Sequence, residues 1–158
     1  MQGFFSEHCH IVNGIVPAAD AFAGGVASDI VNLKLYSGVT FLIMTGASTT
    51  AAGVVTVQAG TSVSAATNAV PFKYRTILAP ATTNVPSALT QATSSGFTIT
   101  ASKANSFYIV EVLAEDLLAG GYSTCKLNVT EPVDDPQAAC VVAILHGPRY
   151  DATQSAIV

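Results

Sequence analysis

The stretch that most constrains the fold of this chain is residues 105–150, which contain three strand-like runs separated by two turn signals. In residues 107–113, and again in residues 138–145, apolar side chains fill most positions on both faces. Between them, residues 122–131 alternate apolar with polar side chains, which is typical of a strand with one solvated face. Both faces of these two apolar runs must therefore be covered. An opposing sheet covers one face, and a neighbouring chain could cover the other.

The rest of the chain carries further short apolar or alternating runs, with no long amphipathic helix between them. We predict strands over residues 8–16, 27–36, 39–45, 54–59, 71–78 and 97–100. Ser37 and Gly38 are interpreted as the turn of a hairpin, and residues 46–53 as the tip of another. For residues 87–93, a short helix is an alternative. With the C-terminal runs, eight or nine strands at near-regular spacing predict an all-β fold, either an antiparallel β-sandwich or a jelly-roll-like barrel.

The predicted sandwich occupies residues 8–150 as a single domain, with an N-terminal arm at residues 1–7 and a C-terminal tail at residues 151–158. A domain near this length buries about 68–70% of its unfolded surface, so it can build a core without disulfides or metal ions. The arm carries two adjacent aromatic residues, Phe4 and Phe5. Because exposed aromatic side chains on a terminus usually dock elsewhere, we expect the arm to contact another surface.

Charged residues are scarce in this chain. They make up 10% of the sequence against 50% hydrophobic residues, whereas ordinary soluble domains carry roughly 25% charged residues. Much of the surface must therefore be neutral, and neutral surfaces are poor at keeping a protein solitary. This favours a subunit that packs against neighbours. An uncharged β domain of extracellular type is the alternative.

The charge pattern argues against nucleic acid and membrane partners. The formal net charge is −4, and the six Lys and Arg residues are dispersed without a basic stripe that could neutralise phosphates. No run approaches the roughly 18 uninterrupted apolar residues that span a bilayer. The first ten residues lack the basic start and apolar core of a signal peptide, so we expect synthesis and folding in the cytoplasm.

The three cysteines, Cys9, Cys125 and Cys140, are an odd number at unrelated spacings. In a reducing compartment they are most simply buried apolar thiols. Cys125 and Cys140 lie on runs that we predict to be neighbouring strands. They could form a disulfide if the protein were exported.

His8, Cys9 and His10 form the most suggestive cluster for metal binding. On a strand, His8 and His10 would point to the same face, and imidazole nitrogens are good zinc ligands. No second Cys/His pair with finger-like spacing follows, so His146 or a distant acid would have to complete the coordination. We therefore interpret the cluster as an ordinary polar strand face and predict neither a metal site nor a cofactor.

Two pairs of acidic residues could supply other chemistry. Asp134 and Asp135 offer oxygen ligands for calcium, but their segment lacks the spaced acids and the glycine of a dedicated calcium loop, so we predict a turn. Glu111 and Glu115 are predicted on one strand or its frayed end. No acidic residue is identified across a cleft from them that could act as the second carboxylate of a hydrolytic pair. No catalytic residue is predicted, and the chain is not expected to be an enzyme.

Glu111 has apolar neighbours along its strand and is expected to be partly buried. An unpaired buried carboxylate is costly, so we expect it to pair with Lys73, Arg75 or Arg149. Lys73 and Arg75 lie two residues apart and should share one exposed strand face. Glu111 is therefore assigned a structural role.

Five segments together define the order and character of the predicted strands: HIVNGIVPAADAFAGGVASDIVNLKLYSGVTFLIMTG near the start, PFKYR in the middle, and SFYIVEV, GYSTCKLNV and AILHGPRY toward the end. In strand order and composition they resemble the small capsid decoration, or cement, proteins of tailed bacteriophages. The resemblance implies a β-rich protein that assembles as a dimer or trimer. It also implies binding to the outer surface of the capsid, where such a protein bridges major capsid protein subunits, often through a terminal arm.

This resemblance makes the major capsid protein the expected partner, together with further copies of the chain in a homotrimer or a dimer. Phe4 and Phe5 are the expected anchors on a neighbouring subunit, and Arg149 and Tyr150 form a second candidate contact. The competing interpretation is a phage tail or fibre β domain that binds a host glycan or another tail protein. It ranks second because the chain has no Trp and few aromatic residues in its predicted loops.

Overall fold

The computed structural model describes residues 4–47, 53–79, 83–131, 134 and 136–149. In chain order the elements are α1 (Phe5–His8), β1 (Cys9–Ala18), β2 (Val26–Ala27), β3 (Val31–Asn32), β4 (Tyr36–Thr45), β5 (Val54–Gly60), β6 (Asn68–Val70), β7 (Phe72–Ile77), β8 (Thr90–Ala92), β9 (Phe97–Thr98), β10 (Ser106–Leu113), α2 (Ala114–Ala119), β11 (Thr124–Thr130) and β12 (Ala139–Pro148). Neither helix is long and apolar enough to cross a membrane.

The strands form two antiparallel sheets that pack face to face, which confirms the predicted all-β sandwich. The first sheet has the order β1-β12-β4-β10-β7-β8. The second sheet has the order β2-β11-β5-β6, with β3 also paired to β11 and β9 to β5. The centre of the first sheet is built from β12, β4 and β10, and two of these come from the stretch 105–150.

The core lies between the sheets and is filled by the inward-facing residue of each alternating pair. In β10, for example, Tyr108, Val110 and Val112 are at most 3% exposed, whereas the residues between them are half-buried. The largest fully buried apolar side chains are Phe22, Leu33, Tyr36, Phe41, Ile43, Ile99, Tyr108, Leu127 and Leu145. Burial of this apolar surface is the main term that holds the two sheets together.

A column of aromatic rings connects the two sheets at one side of the core. Phe97, on β9 of the second sheet, stacks on Tyr74 of the first sheet with ring centroids 4.2 Å apart. It also stacks on Tyr108, with centroids 5.6 Å apart. The Tyr108 hydroxyl accepts a hydrogen bond from the Thr100 N–H at 2.9 Å, so this buried ring keeps its polar group satisfied.

The prediction of one strand over residues 27–36 followed by a turn at Ser37 and Gly38 is wrong. Residues 26–32 supply two short strands to the second sheet, and the chain then turns where the Tyr36 N–H donates to the Leu33 carbonyl at 3.2 Å. Residues 36–45 continue as the single strand β4 in the first sheet. The polar and apolar alternation is similar on both sides of this turn, so it did not reveal the change of sheet.

Gly38 lies inside β4 because the two flanking strands come close to it. A Cβ at this position would lie 2.7 Å from the Val112 carbonyl oxygen and 2.9 Å from Cε1 of His146. The glycine therefore provides room between two strands and is not a turn residue.

Three further interpretations need correction. Residues 46–53 are not a hairpin tip, because β4 and β5 belong to different sheets; residues 48–52 lie outside the described residues. Residues 87–93 contain the strand β8, which pairs with β7, and form no helix. Glu115 lies in the short helix α2 and does not extend β10.

Candidate functional site

The outer face of the first sheet is broad and apolar. We call it the outer face and define it by outward side chains of β1, β4, β10 and β12: Ile11, Leu42, Met44, Phe107, Ile109, Val142 and Ile144. The strand register places Leu42 between Ile109 and Val142, and Met44 between Phe107 and Cys140. These residues therefore form continuous rows across three strands.

The outer face is incompletely covered. Along β12, Val141, Ala143 and Leu145 are at most 1% exposed toward the core, while Val142 and Ile144 on the other side are half-buried. Exposure reaches 44% at Met44 and 57% at Ile11. The sequence predicts apolar residues on both sides of β10 and β12, and the structure confirms this. Only the inner side is fully buried.

Charged residues border the outer face on the β7 side. The register places Lys73 directly opposite Glu111, so opposite charges face each other across β7 and β10. Arg75 lies opposite Ile109 on the same pair of strands. Of the three partners predicted for Glu111, Lys73 is the one that the sheet brings closest.

The exposed N-terminal aromatic residues and Arg149 lie at one end of the first sheet. Phe4 is 78% exposed and Phe5 is 53% exposed, on and beside the single turn of α1. This turn leads into Cys9, which pairs with His146 near the end of β12. Arg149 follows β12 and is exposed, with its backbone N–H donating to the Leu35 carbonyl at 2.8 Å. The fourth predicted contact, Tyr150, lies outside the described residues.

The cluster His8, Cys9 and His10 does not present two histidines on one strand face, because His8 is the last residue of α1. His10 is on β1, and its ring packs edge-on against the Tyr36 ring, with the ring centroids 6.2 Å apart. Cys9 is buried. Among the described residues, the three acid, His or Cys side chains close enough to share a metal ion are found elsewhere in the chain.

A groove with a volume of about 770 Å³ opens where β7, β8 and α2 meet. Its walls include the apolar or aromatic residues Phe72 and Tyr122 and the polar residues Lys73, Gln91 and Asp116. A volume of this size falls within the range of small-molecule sites. Sequence reasoning did not find the groove, since its walls come from segments far apart in the chain and α2 was not predicted.

Cys125 and Cys140 are not on neighbouring strands, which removes the basis for the predicted alternative of a disulfide. Cys125 lies on β11 of the second sheet, whereas Cys140 lies on β12 of the first sheet and pairs with Met44. All three cysteines are free thiols. Cys125 is fully buried, and desolvation raises the pKa of its thiol to about 12.

The buried thiol predicts slow alkylation and an alkaline loss of stability. At about pH 8, native Cys125 should react with iodoacetamide at least roughly 100-fold more slowly than in denaturant, because the thiolate is the nucleophile.

The pKa of the Cys125 thiol is higher in the folded protein than in the unfolded protein. The buried neutral thiol therefore contributes fully to the free energy of unfolding below the unfolded pKa, and this contribution declines as the pH rises from about 9 toward 12. Mass spectrometry measures the alkylation rate, and urea unfolding measures the stability at each pH. Cys125→Ala is the control, and an alkaline decline of the same size in this variant would contradict the assignment.

No protein-family model matches the chain, and no curated protein matches it. Among solved structures, the fold is similar to the crystal structure of SPBc2 prophage-derived protein YomS, with 12% sequence identity and a TM-score of 0.46. The alignment covers 88% of this chain and 93% of that chain. A similarity at this level carries no argument about function, so the function of this chain is inferred from its own surface.

Proposed function

We propose that this chain is a structural virion protein that decorates the capsid of a tailed bacteriophage. In this role it binds the outer surface of the major capsid protein lattice and stabilises the head. The observation that carries the proposal is the partly covered outer face, whose apolar rows cross β4, β10 and β12. Contiguous apolar surface of this kind marks protein–protein contact in soluble proteins.

The composition of the chain suits a lattice contact. A decoration protein gains binding energy by burying area against many identical copies of its partner. Charged groups would lose hydration in such a contact, and they are only 10% of this chain. Glu111 and Lys73 already face each other at the border of the outer face, which lowers the cost of covering them. A homotrimer, with a dimer as the alternative, would present several outer faces to the lattice at once.

The end of the sheet that carries Phe4, Phe5 and Arg149 supplies a second contact. Exposed aromatic and Arg side chains are the residue types that dominate binding energy when a partner buries them. The β1–β12 register brings these residues to one end of the sheet that also carries the outer face. One partner surface could therefore cover both.

Truncating the aromatic pair should weaken capsid binding without unfolding the protein. We expect Phe4→Ala combined with Phe5→Ala to lower affinity for capsids that lack this protein by roughly 10- to 100-fold, because buried aromatic anchors contribute most of such contacts. Deletion of residues 1–7 should have at least this effect. Co-sedimentation with purified capsids measures occupancy.

The matched control replaces Val85 and Leu89 with alanine, since both are apolar and exposed and lie between β7 and β8, at the edge of the first sheet opposite to β1 and α1. This variant should bind like the wild type. Equal occupancy of the arm variant and the wild type across a concentration series would count against the arm as an anchor.

The groove beside Tyr122 favours a second candidate function, a binding module in a phage tail or fibre. Its polar residues Lys73, Gln91 and Asp116 and the Tyr122 ring could hydrogen-bond and stack with a sugar. Imaging of native particles distinguishes the two functions. Regular density at capsid symmetry positions supports decoration, and density at the tail tip supports the module.

A further inference from the structure

Three acidic side chains from opposite ends of the chain meet beside the core. Asp20 lies in the connection between β1 and β2, Glu131 directly follows β11, and Asp134 lies in the connection between β11 and β12. One carboxylate oxygen from each lies within 4.8 Å of the others. Asp20 and Glu131 are half-buried, and Asp134 is exposed.

Two buried oxygens of this cluster have no hydrogen-bond partner among the described residues. They are Oδ1 of Asp20 and Oε1 of Glu131. The other carboxylate oxygen of Glu131, Oε2, accepts the Gly24 N–H at 3.0 Å. A buried carboxylate oxygen that lacks a donor is costly, and neighbouring like charges add to that cost. The two oxygens therefore need a positively charged or donating partner.

A buried amide in the adjoining segment is unsatisfied as well. Gln137 is 0% exposed, and neither Oε1 nor Nε2 of its side chain has a hydrogen-bond partner in the part of the chain that the structure describes. Its backbone carbonyl accepts the Ala21 N–H at 3.0 Å, which places the residue beside Asp20 and in the same connection as Asp134. A fully buried glutamine with both polar atoms unsatisfied is rare, and an unseen ion or water is a usual cause.

We propose that Asp20, Glu131, Asp134 and Gln137 form a calcium site. Calcium binds six to eight oxygen ligands at about 2.3–2.6 Å, so two ligands of one ion can lie up to roughly 5 Å apart. The spacing of the three carboxylates is within this limit. The proposed set contains only carboxylate and amide oxygens, which favours calcium over zinc or copper, because those metals prefer nitrogen or sulfur ligands.

The site would connect the two sheets of the sandwich. Asp20 follows the edge strand β1 of the first sheet, and Glu131 follows the central strand β11 of the second sheet. An ion held by both would tie these connections together and neutralise the repulsion between them. This role is independent of capsid binding and would operate in the isolated protein.

Calcium should stabilise the full-length protein and bind with measurable heat. After EDTA treatment and dialysis, addition of CaCl₂ to a hundred times its Kd should raise the Tm by roughly 5–10 °C. Isothermal titration with CaCl₂ should give one site per chain. Asp20→Asn and Gln137→Met should each reduce the affinity at least roughly tenfold, because the first removes the negative charge of a ligand and the second removes a ligand oxygen, while both keep a similar side-chain volume.

Glu115→Gln is the matched control, since it removes an exposed acid from α2 and should leave calcium affinity unchanged. Asp20→Asn should also fold without calcium, because it removes one of the repelling charges. Absence of both heat and a Tm shift in the wild type would overturn the proposal, as would wild-type affinity in both ligand variants.

Discussion

Met44→Glu should lower the affinity of this protein for capsids by at least about 30-fold while leaving the isolated chain folded. Met44 lies on the central strand β4, between Phe107 and Cys140, and is 44% exposed. In the free protein the new carboxylate can stay in water, so the stability change should be within about 0.5 kcal/mol. In a covered interface it would be buried without a partner, which typically costs 2–5 kcal/mol.

Gln58→Glu provides the matched control for this prediction. Gln58 is half-buried on β5 of the second sheet, so the substitution adds the same charge away from the outer face. Co-sedimentation of both variants with capsids, together with thermal unfolding, separates loss of binding from loss of fold. If Met44→Glu bound as well as the wild type, the outer face would not be the contact surface. Equal weakening by both variants would indicate a general charge effect.

Gly96→Ala is expected to lower the free energy of unfolding by about 3 kcal/mol or more. Gly96 has a φ of +76°, a conformation that costs a residue with a Cβ roughly 1–2 kcal/mol. A Cβ there would also overlap the Val55 carbonyl oxygen and lie 2.9 Å from Cγ2 of Thr56. To relieve the overlap, β5 would have to move in the middle of the second sheet, and such overpacking typically costs a further 1–3 kcal/mol.

Gly121→Ala isolates the backbone part of that effect. Gly121 has a similar φ of +79°, but a Cβ at this position meets no atom within 4 Å. It should therefore cost only roughly 1–2 kcal/mol. Urea unfolding of the two variants gives the steric part as their difference. Equal losses in both would show that the backbone near Gly96 yields without cost.

The strands that could be predicted from sequence are those whose alternation is produced by a single buried face. Residues 122–131 and 54–59 alternate cleanly. They correspond to β11 and β5, whose ends lie within two residues of the predicted ends. Aromatic and β-branched enrichment predicts a strand at residues 107–113, and a continuously apolar run between turn signals predicts one at residues 138–145. The short helix α2 was missed because six residues carry too little periodicity to outweigh the preceding strand.

The partition of strands between the two sheets could not be predicted from alternation. A strand shows the same alternation whichever sheet it joins, so alternation predicts one strand over residues 27–36, although they leave one sheet for the other. For the same reason, it predicts a hairpin between β4 and β5 and neighbouring strands for Cys125 and Cys140. Only the long-range register resolves these cases.

The candidate interface was more accessible to sequence reasoning than the acidic cluster. Two apolar sides on β10 and β12 predict an outer face that needs a cover, because both sets of side chains lie on neighbouring positions of the same run. Asp20 and Glu131 have no such local signal. Their proximity follows from how β1 and β11 are arranged across the sandwich, and neither residue occurs in a recognisable calcium-loop spacing.

The pairing of the first long strand with the last one affects how the protein folds during synthesis. Among the described strands, β1 hydrogen-bonds within its sheet to β12 alone, so the first strand leaves the ribosome long before its partner exists. At translation rates of 5–20 residues per second, this delay is on the order of ten seconds. Throughout it, β1 exposes unpaired backbone groups and the apolar side chains of Val12 and Ile15, which are buried in the folded protein. The nascent chain is therefore an expected client of chaperones that bind extended apolar segments.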